Sequence, residues 1–160
     1  MLPITTVSGD LSSLQFILTD GSKRMLTGGA KRGRIIPVRW LGGRARIVVS
    51  EGYSTAATLA ELYPARSIFA AIDAGNLLPA CTALRSRFPE GKISVYGDDD
   101  RRTPGNPGRT KANEAARASG AKVAFPPWDD AIDPREATDW NDWARVRELL
   151  RGGVTNACTP

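Results

Sequence analysis

Four short apolar runs, each followed by a stretch with helical spacing, constrain this chain more than any other feature. They are Ile47-Val48-Val49, residues 67–72 (Ser-Ile-Phe-Ala-Ala-Ile), Ile93–Tyr96 and residues 122–125. Because polar and apolar residues do not alternate within them, both faces of each strand need cover. Strands of that kind are parallel and lie between layers of helices. The intervening segments supply the helices. Ala56, Leu59, Ala60 and Tyr63 follow the i, i+3, i+4, i+7 spacing. Leu77, Cys81, Leu84 and Phe88 line a second face, and Ala112, Ala115 and Ala116 a third, which Gly120 ends. A last helix is predicted from Trp140 to Leu150, with Trp140, Trp143, Val146 and Leu150 on one side. The expected fold over residues 46–150 is therefore α/β, an open and mainly parallel sheet flanked by helices.

The first third of the chain differs. Residues 13–18 and 23–27 read as two strands joined by an Asp20-Gly21 turn, a strong hairpin signal. Gly28, Gly29 and Gly33 interrupt the chain, residues 34–40 are predicted as a third strand, and Gly42-Gly43 marks a boundary. Residues 1–45 are thus expected to form a small antiparallel β element. This region carries the whole basic excess of a chain with 22 Lys/Arg and 17 Asp/Glu. Lys31, Arg32 and Arg34 cluster between its glycines and suit a polyanion such as nucleic acid. Residues 151–160 lack periodicity and are expected to be loose.

Composition narrows the chemistry. The chain has no histidine, which excludes histidine acid–base chemistry and Ser-His-Asp triads. With only two cysteines besides, it cannot make a zinc cage. No run reaches the roughly 18 apolar residues of a membrane span, and the N-terminus is unlike a signal peptide, so a cytoplasmic protein without a membrane partner is expected. The chain has neither a G-x-x-x-x-G-K-[ST] motif nor a G-x-G-x-x-G motif. Catalysis must rest on carboxylates, Lys, Arg, hydroxyls or a hard cation.

In open α/β sheets, ligands bind beyond the carboxyl ends of the strands. Glu51 directly follows the first parallel strand, and Asp98 and Asp100 follow the third, in Gly97-Asp98-Asp99-Asp100. A strand-like backbone points Asp98 and Asp100 to one side and Asp99 elsewhere. Converging carboxylates repel, and Mg²⁺ or Mn²⁺ relieves that repulsion through oxygen ligands. A solvated acidic turn would explain Asp98–Asp100 alone; Glu51 at the matching end of another strand favours the cation site. Gly52 permits close backbone approach, Ser54 or Thr55 is expected to cap the next helix, and that helix N-terminus favours an anion. Arg101, Arg102, Arg109 and Lys111, in the Gly/Pro-rich loop 101–111, are expected to hold phosphate. Thr138-Asp139-Trp140-Asn141-Asp142 reads as a helix start capped by Asp139, with Trp140 and Trp143 in the core.

At these residues the chain resembles the Toprim domain, the metal-binding catalytic domain of bacterial-type primases, type IA and type II topoisomerases and some nucleases. It is most similar to the primase-like Toprim domains of plasmids and phages, often fused to a helicase. The resemblance covers about residues 46–148. It rests on Glu51-Gly52-Tyr53-Ser54-Thr55-Ala56, Asp73-Ala74-Gly75-Asn76-Leu77, Asp98-x-Asp100, Asn106-Pro107-Gly108 and Thr138 to Asp142. It implies that Asp98 and Asp100 hold Mg²⁺ and that Glu51 is a general acid/base or a further ligand. It implies a primase joining nucleoside triphosphates on single-stranded DNA, with a helicase domain or subunit as partner. A Toprim nuclease and a non-catalytic nucleic-acid-binding module are the alternatives. Chromosomal primases usually carry an aspartate four residues after the glutamate; Thr55 stands there, leaving Asp139 or Asp142 for a second metal position. A topoisomerase needs a nucleophilic tyrosine, and Tyr53, Tyr63 and Tyr96 belong to motif, helix core and strand.

Overall fold

A computed structural model describes residues 1–42, 46–128 and 137–155. Its elements in chain order are β1 (Leu2–Thr5), β2 (Leu11–Ile17), β3 (Lys23–Met25), β4 (Ile36–Arg39), β5 (Arg46–Ser50), α1 (Tyr53–Leu62), β6 (Arg66–Ala70), α2 (Ala74–Arg87), β7 (Ile93–Tyr96), α3 (Pro107–Ser119), β8 (Lys122–Ala124) and α4 (Trp140–Thr155). β5 to β8 are the four apolar runs. They form a sheet in the order β4-β6-β5-β7-β8, parallel except for β4.

Alternation within each buried strand decides which helices cover which face. Ile47, Val49 and Val95 point to α2 and α3, where Leu77, Cys81, Leu84, Ala112 and Ala115 are buried. Val48, Ile68 and Ala70 point to the other side, against Ala56, Leu59 and Trp140 of α1 and α4. Each buried aliphatic side chain contributes about 1.5–3 kcal/mol relative to exposure, so the sheet is the energetic centre of the chain. The alanines of α3 let it approach closely. A Cβ added at Gly97 would stand 2.4 Å from that of Ala112, so only glycine fits at the exit of β7.

The predicted hairpin is β2–β3, with Gly21 in the left-handed region at φ 80° as its turn requires. Two N-terminal features differ from expectation. β1 is a further strand, paired antiparallel to β2. The strand expected at 34–40 is β4, and it joins the large sheet beside β6 rather than the small one. Ile36 explains this: it is 1% exposed and packs with Ile4, Val48 and Ile68. Pro37 is tolerated because β4 is an edge strand. The small sheet β1-β2-β3 is stitched to the large one where Thr5 and Ile35 exchange backbone hydrogen bonds of 2.8 and 3.0 Å. At the other end, α4 continues to Thr155 instead of stopping near Leu150. The Gly42-Gly43 boundary falls at the edge of the described residues. Beyond Thr155 the expected loose tail lies outside them.

Candidate active site

Ser50 pairs with Tyr96, so β5 and β7 deliver Glu51 and Asp98 to the same edge of the sheet. Asp98 is half-buried, and its Oδ1 is buried with no hydrogen-bond partner. Burial first, then the charges of Glu51, Asp139 and Asp100, push its carboxyl up to about 8, against a small opposing effect of Lys23. Glu51 is also raised, by burial and then by Asp100, with the Ala74 N–H and Lys23 acting the other way. Asp139, at the start of α4, is raised chiefly by burial. Three carboxyl groups are thus held where ionisation is unfavourable. A divalent cation reverses that penalty, and the orphaned Asp98 Oδ1 is an oxygen donor fit for one. Among the described residues no three acidic side chains close into a cage.

The Asp98–Asp100 run alternates as the sequence suggests. Asp100 Oδ2 accepts the Gly108 N–H at 2.9 Å, at the N-terminus of α3. A Cβ on Gly108 would lie 2.8 Å from that oxygen and 2.9 Å from the Asp98 carbonyl, so glycine is required there. Asp99 turns away and is 2% exposed. Burial acts to raise it, but hydrogen bonds from Arg109 and Asn106 override this and hold it below its ordinary value. Arg109 grips it through Nε at 3.0 Å and Nη2 at 3.1 Å, and Asn106 Nδ2 donates at 2.6 Å. Asn106 also caps α3 from the left-handed region, at φ 42°, and Pro107 opens the helix. The Asn106-Pro107-Gly108 motif is therefore the brace of the aspartate run.

Several predicted phosphate ligands have other work. Arg109 is committed to Asp99 and stacks on Phe125 at 4.1 Å. Arg101 lies 3.9 Å from Asp99 and over the ring of Trp128. Lys111 pairs with Glu114 at 3.0 Å. Lys31 pairs with Asp73 at 2.7 Å, and Arg34 Nε donates to Ser12. Arg32 and Arg102 are exposed. The carboxylate set also changes at α4. Asp142 Oδ2 accepts the Thr138 N–H at 3.0 Å while Asp139 Oδ1 accepts the Asp142 N–H at 2.8 Å, a reciprocal helix cap. Of the two, Asp139 is the one whose charge raises Asp98. Thr55 does not cap α1, and neither does Ser54; the N-cap is Gly52, without a side-chain bond. Thr55 instead donates to Asp139 Oδ2 at 3.3 Å, so a carboxylate from α4 stands beside the residue that replaces the usual aspartate.

Two residues escaped sequence reasoning. Lys23 of β3 reaches over the site: its Nζ lies 3.5 Å from where a Cβ on Gly52 would be, and it opposes the raised values of both Glu51 and Asp98. Asn76 is 1% exposed and welds the basic loop to the site edge. Its Oδ1 accepts the Gly33 N–H at 2.8 Å, and its Nδ2 donates to the carbonyls of Arg34 and Ala71 at 2.9 and 2.8 Å. Just before it, Ile72 adopts φ 80°, a strained conformation for a β-branched residue, beside the site. The Asp73–Leu77 motif held the signal for Asn76; nothing local marks Lys23.

An α/β sheet with a glutamate after one strand and an Asp-x-Asp after its neighbour defines the Toprim class. The Toprim domain family model matches residues 46–148, and the chain belongs to that family. It is similar to two Escherichia coli proteins described as DNA primase TraC: 41% and 40% identical over 132 residues, 78% of this chain. The chain spans 12% and 9% of the length of those relatives. Among solved structures, the primase fragment of the bacteriophage T7 primase-helicase protein superposes with a TM-score of 0.64 at 19% identity, over 94% of this chain and 60% of that one. A second, of T7 lagging-strand DNA polymerase interacting with primase domains bound to an RNA/DNA hybrid and dTTP, gives 0.63 at 23%, over 94% and 74%. At these identities the two structures establish the fold.

Proposed function

We propose that this chain is the nucleotidyl-transfer domain of a DNA primase, joining nucleoside triphosphates on a single-stranded DNA template. The observation that carries this is the buried, partnerless Asp98 Oδ1 among the carboxylates of Glu51, Asp100 and Asp139. Similarity to TraC supports polymerisation over hydrolysis. Asp98 and Asp100 would hold Mg²⁺ or Mn²⁺, with Asp139 rather than Asp142 as the nearby third carboxylate. When bound, the cation neutralises phosphate oxygens and polarises the phosphorus under attack. Glu51, whose proton affinity burial raises, takes the proton from the attacking hydroxyl oxygen as that oxygen bonds the α-phosphorus and the α–β bridge breaks, releasing pyrophosphate. The first N–H groups of α1, uncapped by any side chain, face the phosphates, and Lys23 adds a positive charge there. Gly52 and Gly108 keep backbone close to the reacting groups.

A helicase domain or subunit is the partner this reading supplies, supported by the T7 primase-helicase likeness. No helix among the described residues is long and apolar enough to cross a membrane, and a cytoplasmic setting, on a plasmid or phage replicon, belongs to the same proposal. The test is incubation with single-stranded DNA, labelled nucleotides and Mg²⁺ or Mn²⁺. Template-dependent oligonucleotides are expected. Shortened DNA would make the domain a nuclease, and unchanged DNA and nucleotides would leave a binding module.

A further inference from the structure

The edge of the sheet opposite the carboxylates has its own organisation. Arg46 opens β5, Lys122 opens β8, and Lys92 immediately precedes β7 between them, its carbonyl accepting the Ile47 N–H at 2.9 Å. Three neighbouring strands therefore begin with a cation, at the roughly 4.8 Å strand spacing. All three are exposed, and among the described residues none is in an ion pair. Neutralising helix C-termini accounts for cations at such an edge, but other residues do that here. Arg39 donates to the carbonyls of Ala60 and Tyr63 at the end of α1. Arg85 donates to those of Ser119, Pro89 and Gly91 at the ends of α2 and α3.

The cations line a continuous groove with an aromatic end. A hollow holding Arg46, Lys92, Lys122 and Arg85 shares Arg46, Gly91 and Lys92 with one that also holds Arg87, Phe88 and one acid, Glu90, against three cations. That one shares Arg87 and Phe88 with a third, beside Trp40. Trp40 is 48% exposed and is buttressed by Phe88 at 5.3 Å and Phe69 at 5.8 Å between ring centroids. A positive groove ending on a supported, exposed indole is what single-stranded nucleic acid needs: cations for phosphates, a ring for a base. An acidic protein would use the cations and leave the indole idle.

We propose that this edge is a second nucleic-acid site, a track for a single strand in which Trp40 stacks a base and Arg87, Arg46, Lys92 and Lys122 follow the backbone. The strands separate it from the carboxylates by about 16 Å, at 3.3 Å per residue. The strand is thus held without entering the site of chemistry.

The test is fluorescence anisotropy of the full chain with a fluorescein-labelled oligothymidylate, without nucleotide and with EDTA. The outcome is thereby independent of the catalytic proposal. The charge-neutral triple variant R46Q/K92Q/K122Q, with folding checked by circular dichroism, is expected to bind at least tenfold more weakly. The slope of log affinity against log salt should fall by about 2, at about 0.7 per lost phosphate contact with a single strand. Trp40→Ala is expected to weaken binding roughly tenfold with the slope unchanged. In the parent, oligonucleotide should protect Lys92 and Lys122 from acetylation. Unchanged affinity and slope in the triple variant, with both lysines unprotected, overturn the proposal. So does polyglutamate binding as tightly as oligothymidylate, lost in the triple variant and indifferent to Trp40→Ala; that result assigns the edge to an acidic protein.

Discussion

At the carboxyl ends of β5 and β7 the chain gathers Glu51, Asp98 and Asp100; at the amino ends of the same strands it sets Arg46 and Lys92. Helix dipoles favour this polarity, with anions near N-termini and cations near C-termini. The two edges differ in how far the fold satisfies its charges. On the basic edge, Arg85 meets the carbonyls of two helix ends, and Arg46, Lys92 and Lys122 stand in water. On the acidic edge, Asp99 is held by Arg109 and Asn106 and Asp139 is hydrogen-bonded on both oxygens, while half-buried Asp98 has a buried oxygen that meets nothing. The acidic edge stores an electrostatic deficit, and the proposed cation site rests on that deficit.

The strongest way to break the comparison is the double substitution D98N/D100N. Asparagine keeps the size and removes the charges. Template-dependent synthesis is expected to fall about a thousandfold or more, because several kcal/mol of charge stabilisation is lost at 1.36 kcal/mol per tenfold. Thermal melting should show the parent stabilised by Mn²⁺ and the variant not. Surviving activity would rule out a cation site at these residues.

Gly108→Ala probes the geometry behind that charge. Its methyl group would press on Asp100 Oδ2 and the Asp98 carbonyl. A loss of about 1–3 kcal/mol in urea unfolding is expected, with reduced activity. Asn76→Ala, by contrast, should cost about 2–3 kcal/mol without touching the carboxylates, since it strips a buried residue of three hydrogen bonds. Loop 31–34 should then gain proteolytic sensitivity before the α/β sheet does.

pH separates the edges by a smaller effect. Between an unfolded value near 3.8 and a folded value of about 8, Asp98 keeps a proton that the unfolded chain has lost. In that window the native state binds more protons, so this group's contribution to stability falls as pH rises and levels off above about 8. In EDTA the melting temperature of the parent should show this decline between pH 5 and 8 relative to Asp98→Asn. A saturating divalent cation should flatten it. A parent and variant with parallel profiles in EDTA would mean that Asp98 ionises normally. The least effect is expected at the basic edge, where R46Q/K92Q/K122Q should change unfolding stability by no more than about 0.5 kcal/mol, as exposed positions do.

What could be read without the fold was whatever local pattern encodes. Continuous apolar runs named β5 to β8, because a strand buried on both faces leaves no polar alternation. The Glu51-Gly52 and Asp98-x-Asp100 pairs were legible because each sits at the end of such a run. Tertiary structure decided which charges remain for chemistry. Arg109 looked like a phosphate ligand, yet Asp99, turned inward by the pleat, captures its guanidinium. Asp142 looked as eligible as Asp139 until the helix cap placed one beside Thr138 and the other beside Thr55. β4 left the small sheet because Ile36 found Val48 and Ile68, neighbours distant in sequence. Lys23 became part of the site only when the hairpin folded over Gly52. The reason is common to all four: periodicity is a property of adjacent residues and survives in a string of letters, whereas the partner of a charge or a buried side chain is chosen by long-range packing, which exists only in three dimensions.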